Sequence, residues 1–374
     1  MNTSKTLRKV AANVTVAACL FTLPISLPAN AASLDTSAGQ LQVNQQIGRL
    51  VGAWGFDFLP DGSVIVTEKR GRLFIASKDG SKRRIRGLPE IVEDGQGGLL
   101  DIVVARDFEQ SQEVFFTHVK TVEEGLGTAV TVARLDISDS RLKDVRTIFE
   151  MTGGDFGGRH FGSRIRESAD GSLFVTIGDR GDRPSAQDLS RHNGSVLRIN
   201  RDGSVPRDNP FTTGAAPEIW SYGHRNPQGM DIANDGTIWI AEHGAKGGDE
   251  VNLVRKAANY GWPIISFGTH YSGAKIGVGT EQDGMQQPEH YWDPSIAPSG
   301  LLVYQGEMFP EWQGDLFVGS LKFDYISRLD GDPVAEVEQL QNADTRRVRD
   351  IREAPDGSIW FISEDRKGIF RISR

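Results

Sequence analysis

Four stretches of the chain repeat one pattern, a turn built on Asp-Gly followed at once by alternating apolar residues: PDGSVIVTEKRGRLFIA from Pro60, ADGSLFVTIGDRGD from Ala169, NDGTIWIAEHGAKGG from Asn234 and PDGSIWFISEDRKGIFRI from Pro355. Asp-Gly suits a tight turn, and runs such as Val64-Ile65-Val66 and Ile359-Trp360-Phe361 have the β-branched and aromatic bias of strands. Two weaker copies, FEQSQEVFFTHV from Phe108 and FPEWQGDLFVGSLKFDYISRL from Phe309, fill the longer gaps and bring the count to six. The copies start roughly 45 to 75 residues apart, enough for several strands each plus loop insertions. The 43 glycines among 374 residues argue against a helical alternative. The expected architecture is therefore all-β, a six-bladed β-propeller of four-stranded antiparallel blades. Ring closure is expected because an open array leaves strand edges unpaired, although no sequence signal places the closing strand.

The N-terminal residues 1–31 read as a secretory signal. Lys5, Arg8 and Lys9 precede an apolar run from Val10 to about Pro28, and Ala29-Asn30-Ala31 has the form of an A-x-A cleavage site. The single propeller domain is then expected over 32–374, exported to the periplasm or secreted. A rival reading makes Cys19, after Val16-Ala17-Ala18, a lipid-modified cysteine, but the apolar run continues past it through Leu20-Phe21. Cys19 is the only cysteine, so cleavage after Ala31 removes thiolate catalysis, disulfides and cysteine metal sites from the reading. Loss of the three signal cations takes the formal charge from −8 to −11, which disfavours nucleic acid as a partner. No later apolar run reaches the length of a membrane span.

In a ring of blades, loops far apart in sequence meet around one axis, so polar loops are read as a set. SYGHRNPQGMDI, from Ser221, carries a His, an Arg, an Asn and a Gln where a turn needs only its backbone angles. GQGGLLD, from Gly95, offers Gln96 among glycines that let a backbone approach a ligand; a Gly-rich turn with a solvated glutamine fits it too. GGRHFG, from Gly157, sets His160 nineteen positions before Asp179 across a hairpin whose ends meet. His160 could be a general base oriented by the Asp179 carboxylate, although seven histidines are present and the position alone does not single one out. EHGAKGGDE, from Glu242, resembles a calcium loop in composition without EF-hand spacing, and a salt-bridged loop is the alternative. In RRVRD, from Arg346, an extended backbone turns Arg347 and Arg349 to one side, as a polycarboxylate or phosphate requires or as a solvated basic cluster allows.

In this order GQGGLLD, RHFGSR, TIGDRGD, SYGHRNPQG, EHGAKGGDE, NYGWP, GSLK and RRVRD resemble the soluble aldose sugar dehydrogenases that use pyrroloquinoline quinone (PQQ), relatives of soluble quinoprotein glucose dehydrogenase. The resemblance runs from about Gly52 to Arg374, and the family fold is a six-bladed propeller. It implies an aldose substrate oxidised at its anomeric carbon to a lactone. His160 would take the hydroxyl proton, Asp179 would support the imidazole, and hydride would pass to the quinone. Gln96 would lie near sugar and cofactor, Arg225 and Asn226 at the quinone's reacting carbonyls, and Lys322, Arg347 and Arg349 at its carboxylates. The carbonyl oxygens of Gly244 and Ala245 would bind Ca2+. An external electron acceptor, which no motif identifies, completes the partners of a monomer or homodimer. Ala245 stands where the family often has Pro, and Arg159 where Asp or Asn is usual. Two other classes stand as alternatives: a calcium-dependent lactonase, disfavoured by the clustered cations, and a noncatalytic binding module, which would be expected to lose the base or those cations.

Overall fold

A computed structural model describes Met1 and residues 32–77 and 79–374. The chain divides into two units, Met1–Ala31 and Ala32–Arg374. The expected signal peptide and Cys19 lie outside the described residues.

The second unit consists of six antiparallel sheets. Five have four strands each, and in each the first strand lies innermost. These innermost strands are Ala53–Phe58, Leu99–Val104, Ile165–Glu167, Pro227–Ile232 and Pro298–Val303, with Val348–Glu353 in the sixth sheet. Each touches the next and the last returns to the first, which closes the ring of a six-bladed β-propeller. The sixth blade is completed by the other end of the chain. Gly39–Ile47 pairs with Gly368–Ser373, Val43 opposite Ile372, and Ala32–Thr36 adds a fifth strand outside it.

All six repeats mark the same junction, from innermost to second strand. In the four Asp-Gly copies the aspartate Oδ1 accepts the backbone N–H two residues on, at 2.8 Å for Asp61 to Ser63 and 2.9 Å for Asp170 to Ser172. Asp235 and Asp356 repeat the contact with Thr237 and Ser358 at 2.9 and 3.0 Å. The second copy departs: a one-turn helix, Phe108–Ser111, replaces the Asp-Gly turn. Apolar side chains fill the layers between neighbouring blades, as where Phe115, Val130 and Val132 meet Ile165, Val175 and Leu197.

Strand polarity then fixes which loops share a face. With four alternating strands, the connections between blades and those from second to third strand emerge at one end of the ring. Gln96, His160, Arg225 and Arg347 lie on blade-to-blade connections, and Asp179, Gly244 and Lys322 on second-to-third connections. Every candidate site residue is thus delivered to the same end.

Candidate active site

His160 occupies the left-handed region, with φ 53°. A non-glycine residue holds that conformation at a cost, so its surroundings must fix it. They do: its backbone N–H donates to Gln96 Oε1 at 2.7 Å, and its carbonyl approaches Gly178 so closely that a Cβ there would stand 2.1 Å from the oxygen. The ring lies 2.6 Å, Nδ1 to Oδ1, from Asp179. A carboxylate can only accept, so Nδ1 carries the proton and Nε2 keeps its lone pair. Asp179 is fully buried and has no freedom left: Oδ1 also accepts from the Gly181 N–H at 2.7 Å, and Oδ2 from Trp262 Nε1–H at 2.8 Å.

Burial pulls the His160 imidazole below the usual histidine pKa, against the Asp179 hydrogen bond, which raises it, and with the Arg225 charge, which lowers it. Burial is the largest single influence on Asp179 and raises it, but the hydrogen bond and charge of His160, the Gly181 N–H and the Arg225 charge together hold the carboxyl below its ordinary range. The pair is a neutral imidazole on an ionised carboxylate, an arrangement that can take up one proton.

Two cavities meet here. A cavity of about 360 Å³ is lined by Gln96, Arg159, His160, Asp179, Gly181, Arg183, Arg225 and Tyr271. A larger one of about 710 Å³ shares Gln96 and runs past Trp54, Phe161, Asn226 and Gln228 to Lys69, Lys322, Arg347 and Arg349. Arg347 and Arg349 do point to one side, each donating its Nε–H to one oxygen of Glu364 at 2.5 Å. Among the described residues Glu364 is the one carboxylate lining the cavity with the four cations, so an excess of positive charge remains for a polyanion. Beside the cavities Arg225 Nε and His243 Nε2 are buried without a hydrogen-bond partner among the described residues. Burial takes His243 down to about 4, so it is a neutral ring. An orphaned Arg225 N–H, an unpartnered His243 ring nitrogen, flanking aromatic rings and surplus cations fit a planar quinone bearing carboxylates.

The floor is a buried ion network. Arg164, fully buried, donates to Asp101 at 3.2 Å and lies 2.8 Å from Asp350, and its remaining N–H groups reach the carbonyls of Gln228 at 2.6 Å and Arg349 at 2.9 Å. One guanidinium thereby ties together four of the innermost strands or their entries. The Arg225 side chain is fixed by its own bond to the His243 carbonyl at 3.1 Å, and its backbone N–H by Glu242 Oε2 at 2.7 Å. Asn226 Oδ1 accepts from the Gly162 N–H at 3.2 Å.

Gly244 and Ala245 lie apart from the large cavity. Gly244 lines a small adjoining cavity with Glu242, Glu250 and Tyr260. Burial, and then the charge of Glu242, push Glu250 up to about 8, so this acid is neutral at pH 7 and a hard cation at the loop would rely on its carbonyl oxygens. Ala245 packs in an apolar cluster with Ala186, Trp262 and Ile276. His224, the histidine of SYGHRNPQG, is fully buried between Ser221 at 2.9 Å and Glu242 at 2.8 Å, a structural role.

Sequence reasoning passed over Lys69, Trp262, Glu364 and Arg183. Trp262 lies in NYGWP, inside the long connection between Asp249–Val254 and His290–Trp292, which reaches back to Asp179. The other three are ordinary charged loop residues whose only signal is the company the fold gives them.

The fold and this site define a sugar oxidoreductase of the six-bladed propeller class. Residues 50–372 match the Glucose / Sorbosone dehydrogenase family, and the chain belongs to that family. It is 39% identical over 332 residues to aldose sugar dehydrogenase YliI of Escherichia coli (strain K12), covering 86% of this chain and 89% of that one. It is 27% identical over 398 residues to quinoprotein glucose dehydrogenase B of Acinetobacter calcoaceticus, covering 84% and 82%. The crystal structure of the soluble aldose sugar dehydrogenase from Escherichia coli in the apo-form superposes with a TM-score of 0.85 at 36% identity, over 89% of this chain and 99% of that one.

Proposed function

We propose that this chain is a PQQ-dependent aldose sugar dehydrogenase that oxidises the anomeric carbon of an aldose to a lactone, with Ca2+ at its cofactor. The observation that carries the reading is the His160–Asp179 pair on the wall of one cavity, next to a second cavity with surplus cations. Lys322, Arg347 and Arg349 would hold the carboxylates of the quinone, and Arg225 and Asn226 would meet its reacting carbonyls. The carbonyl oxygens of Gly244 and Ala245 would hold the calcium. When bound, the quinone supplies a two-electron acceptor for the hydride of the anomeric carbon, and calcium supplies Lewis-acid polarisation.

The chain's own part is proton transfer and positioning. His160 Nε2 takes the proton of the anomeric hydroxyl as the carbonyl of the lactone forms. Asp179 keeps the imidazole in the tautomer that leaves Nε2 free and stabilises the imidazolium produced. Gln96 fixes the His160 backbone and faces the sugar from the mouth shared by both cavities. The leader 1–31 directs the propeller to the periplasm or exterior, and an external acceptor reoxidises the cofactor.

Reconstitution tests this. Chelator-treated protein given PQQ and Ca2+ is expected to reduce a dye with glucose or another aldose. Mg2+ is expected to substitute poorly, because it demands a tighter octahedral shell and keeps its waters. Full activity after thorough chelation removes calcium from the proposal, and silence with every aldose removes the dehydrogenase reading.

A further inference from the structure

The lining of the smaller cavity is unbalanced in charge. Three of its residues are arginines, Arg159, Arg183 and Arg225, in a chain whose formal net charge is −8. Its only carboxylate among the described residues is Asp179, whose oxygens are committed to His160, Gly181 and Trp262. A neutral sugar presents hydroxyls that need acceptors as well as donors, and this lining offers chiefly donors.

Arg225 is anchored at its His243 contact, but the other two are available. Arg159 is exposed and makes no ion pair or hydrogen bond among the described residues. Its position is set by packing: a Cβ on Gly181 would stand 2.4 Å from Arg159 Nε, so the side chain crosses the loop at its glycine. Arg183 Nη1 donates to His270 Nδ1 at 2.8 Å, a neutral acceptor, and its guanidinium lies 5.3 Å from the centre of the Trp262 ring. Neither arginine has a carboxylate partner among the described residues, although the surface is rich in carboxylates.

Resting on the dehydrogenase reading above, we infer that the substrate is an aldose carrying its own anion, a carboxylate or a phosphoryl group, which Arg159 and Arg183 bind while His160 faces the anomeric hydroxyl. Guanidinium groups present paired N–H donors in the geometry such oxyanions accept. The two arginines are specificity residues, and the proton transfer stays with His160.

The test uses the protein loaded with PQQ and Ca2+, and compares kcat/KM for glucose, glucuronate and glucose 6-phosphate. At least one anionic aldose is expected to exceed glucose. Its advantage should shrink as salt rises from about 0.02 to 0.3 M, since screening weakens exposed charge pairs and leaves glucose untouched. Arg159→Gln and Arg183→Gln should each lower the anion-to-glucose ratio about five- to tenfold, the scale of a partly exposed charge-assisted contact. A ratio isolates this effect from any common change at His160. Glucarate, which has no anomeric carbon, should compete with glucose in the wild type and less in Arg159→Gln. Preference for glucuronate assigns a carboxylate, and preference for the phosphate ester a phosphoryl group. Glucose matching or exceeding both anions, with ratios unmoved in either variant, overturns the inference while leaving the dehydrogenase intact. Silence with every aldose, glucose included, overturns the dehydrogenase reading itself.

Discussion

His160 sits under two opposed influences, and their balance makes it usable as a base. Burial disfavours the imidazolium, whereas the Asp179 carboxylate, 2.6 Å away, favours it. The resulting pKa lies below the usual histidine value of about 6.5, so the neutral form dominates at neutral pH. The kcat/KM of the reconstituted enzyme should therefore fall on the acid side below about pH 6.5. His160→Gln removes the proton acceptor and should slow reduction of the bound quinone by ~10²- to 10⁴-fold, with cofactor binding retained. Asp179→Asn should cost less and move the acid limb to still lower pH, because the contact it weakens is the one that raises the pKa. Stopped-flow reduction across pH separates these outcomes, and a wild-type rate in His160→Gln rejects His160 as the base. Much of this pair was legible: a His in a Gly-rich loop and an Asp across a hairpin read as neighbours. Trp262, which holds the far oxygen of Asp179, was not, because it arrives from 83 positions away on a long connection whose path no local pattern sets.

At the scale of the strand, the Asp-Gly turns mattered more than the apolar runs, because they mark one junction in four of the blades and, with the two weaker copies, give the blade count and the strand polarity together. Polarity then decides which loops share an end. The innermost strands were harder to read, because they alternate charged residues of the axis with core residues. Asp101, Arg164, Arg166, Asp350 and Arg352 look like surface positions until the ring buries them against one another. A second strand of the second blade, Glu113–Val122, carries a related surprise in His118, buried with Nε2 at 2.9 Å from Thr131 Oγ1. Burial lowers His118 to about 4. In the unfolded chain it protonates near 6.5, so between about 6.5 and 4 the unfolded state binds the extra proton and stability falls as pH falls. The loss is on the order of 3 kcal/mol once pH reaches 4. Calorimetry from pH 7 to 4 should show this decline, and His118→Gln, which keeps an amide for Thr131, should flatten part of it at the cost of some stability at pH 7. An identical acid slope in the variant excludes His118 as a source.

At the scale of the whole molecule, the ring depends on a pairing that no local signal announces. Gly39–Ile47 alternates buried and exposed residues and reads as a strand, but nothing in it says that its partner is Gly368–Ser373, at the other end of the chain. Val43 lies 2% exposed in the cluster formed with Phe361, Phe370 and Ile372, whereas Gln42 beside it faces outward. Val43→Asp would place an unpaired charge in that layer, at a cost of several kcal/mol that the strand can avoid only by detaching. Detachment would bare the edge of Gly368–Ser373, and an unpaired edge recruits other chains. The same blade carries Arg347, Arg349 and Glu364 on its site-facing end, so loosening it should also weaken cofactor retention. Val43→Asp is therefore expected to lower Tm by roughly 5 °C or more, to raise light scattering on warming and to weaken PQQ binding. Gln42→Asp, one residue away and exposed, should change stability by no more than about 0.5 kcal/mol. Equal melting of the two variants would show that the N-terminal strand is a passive attachment and that the ring holds without it.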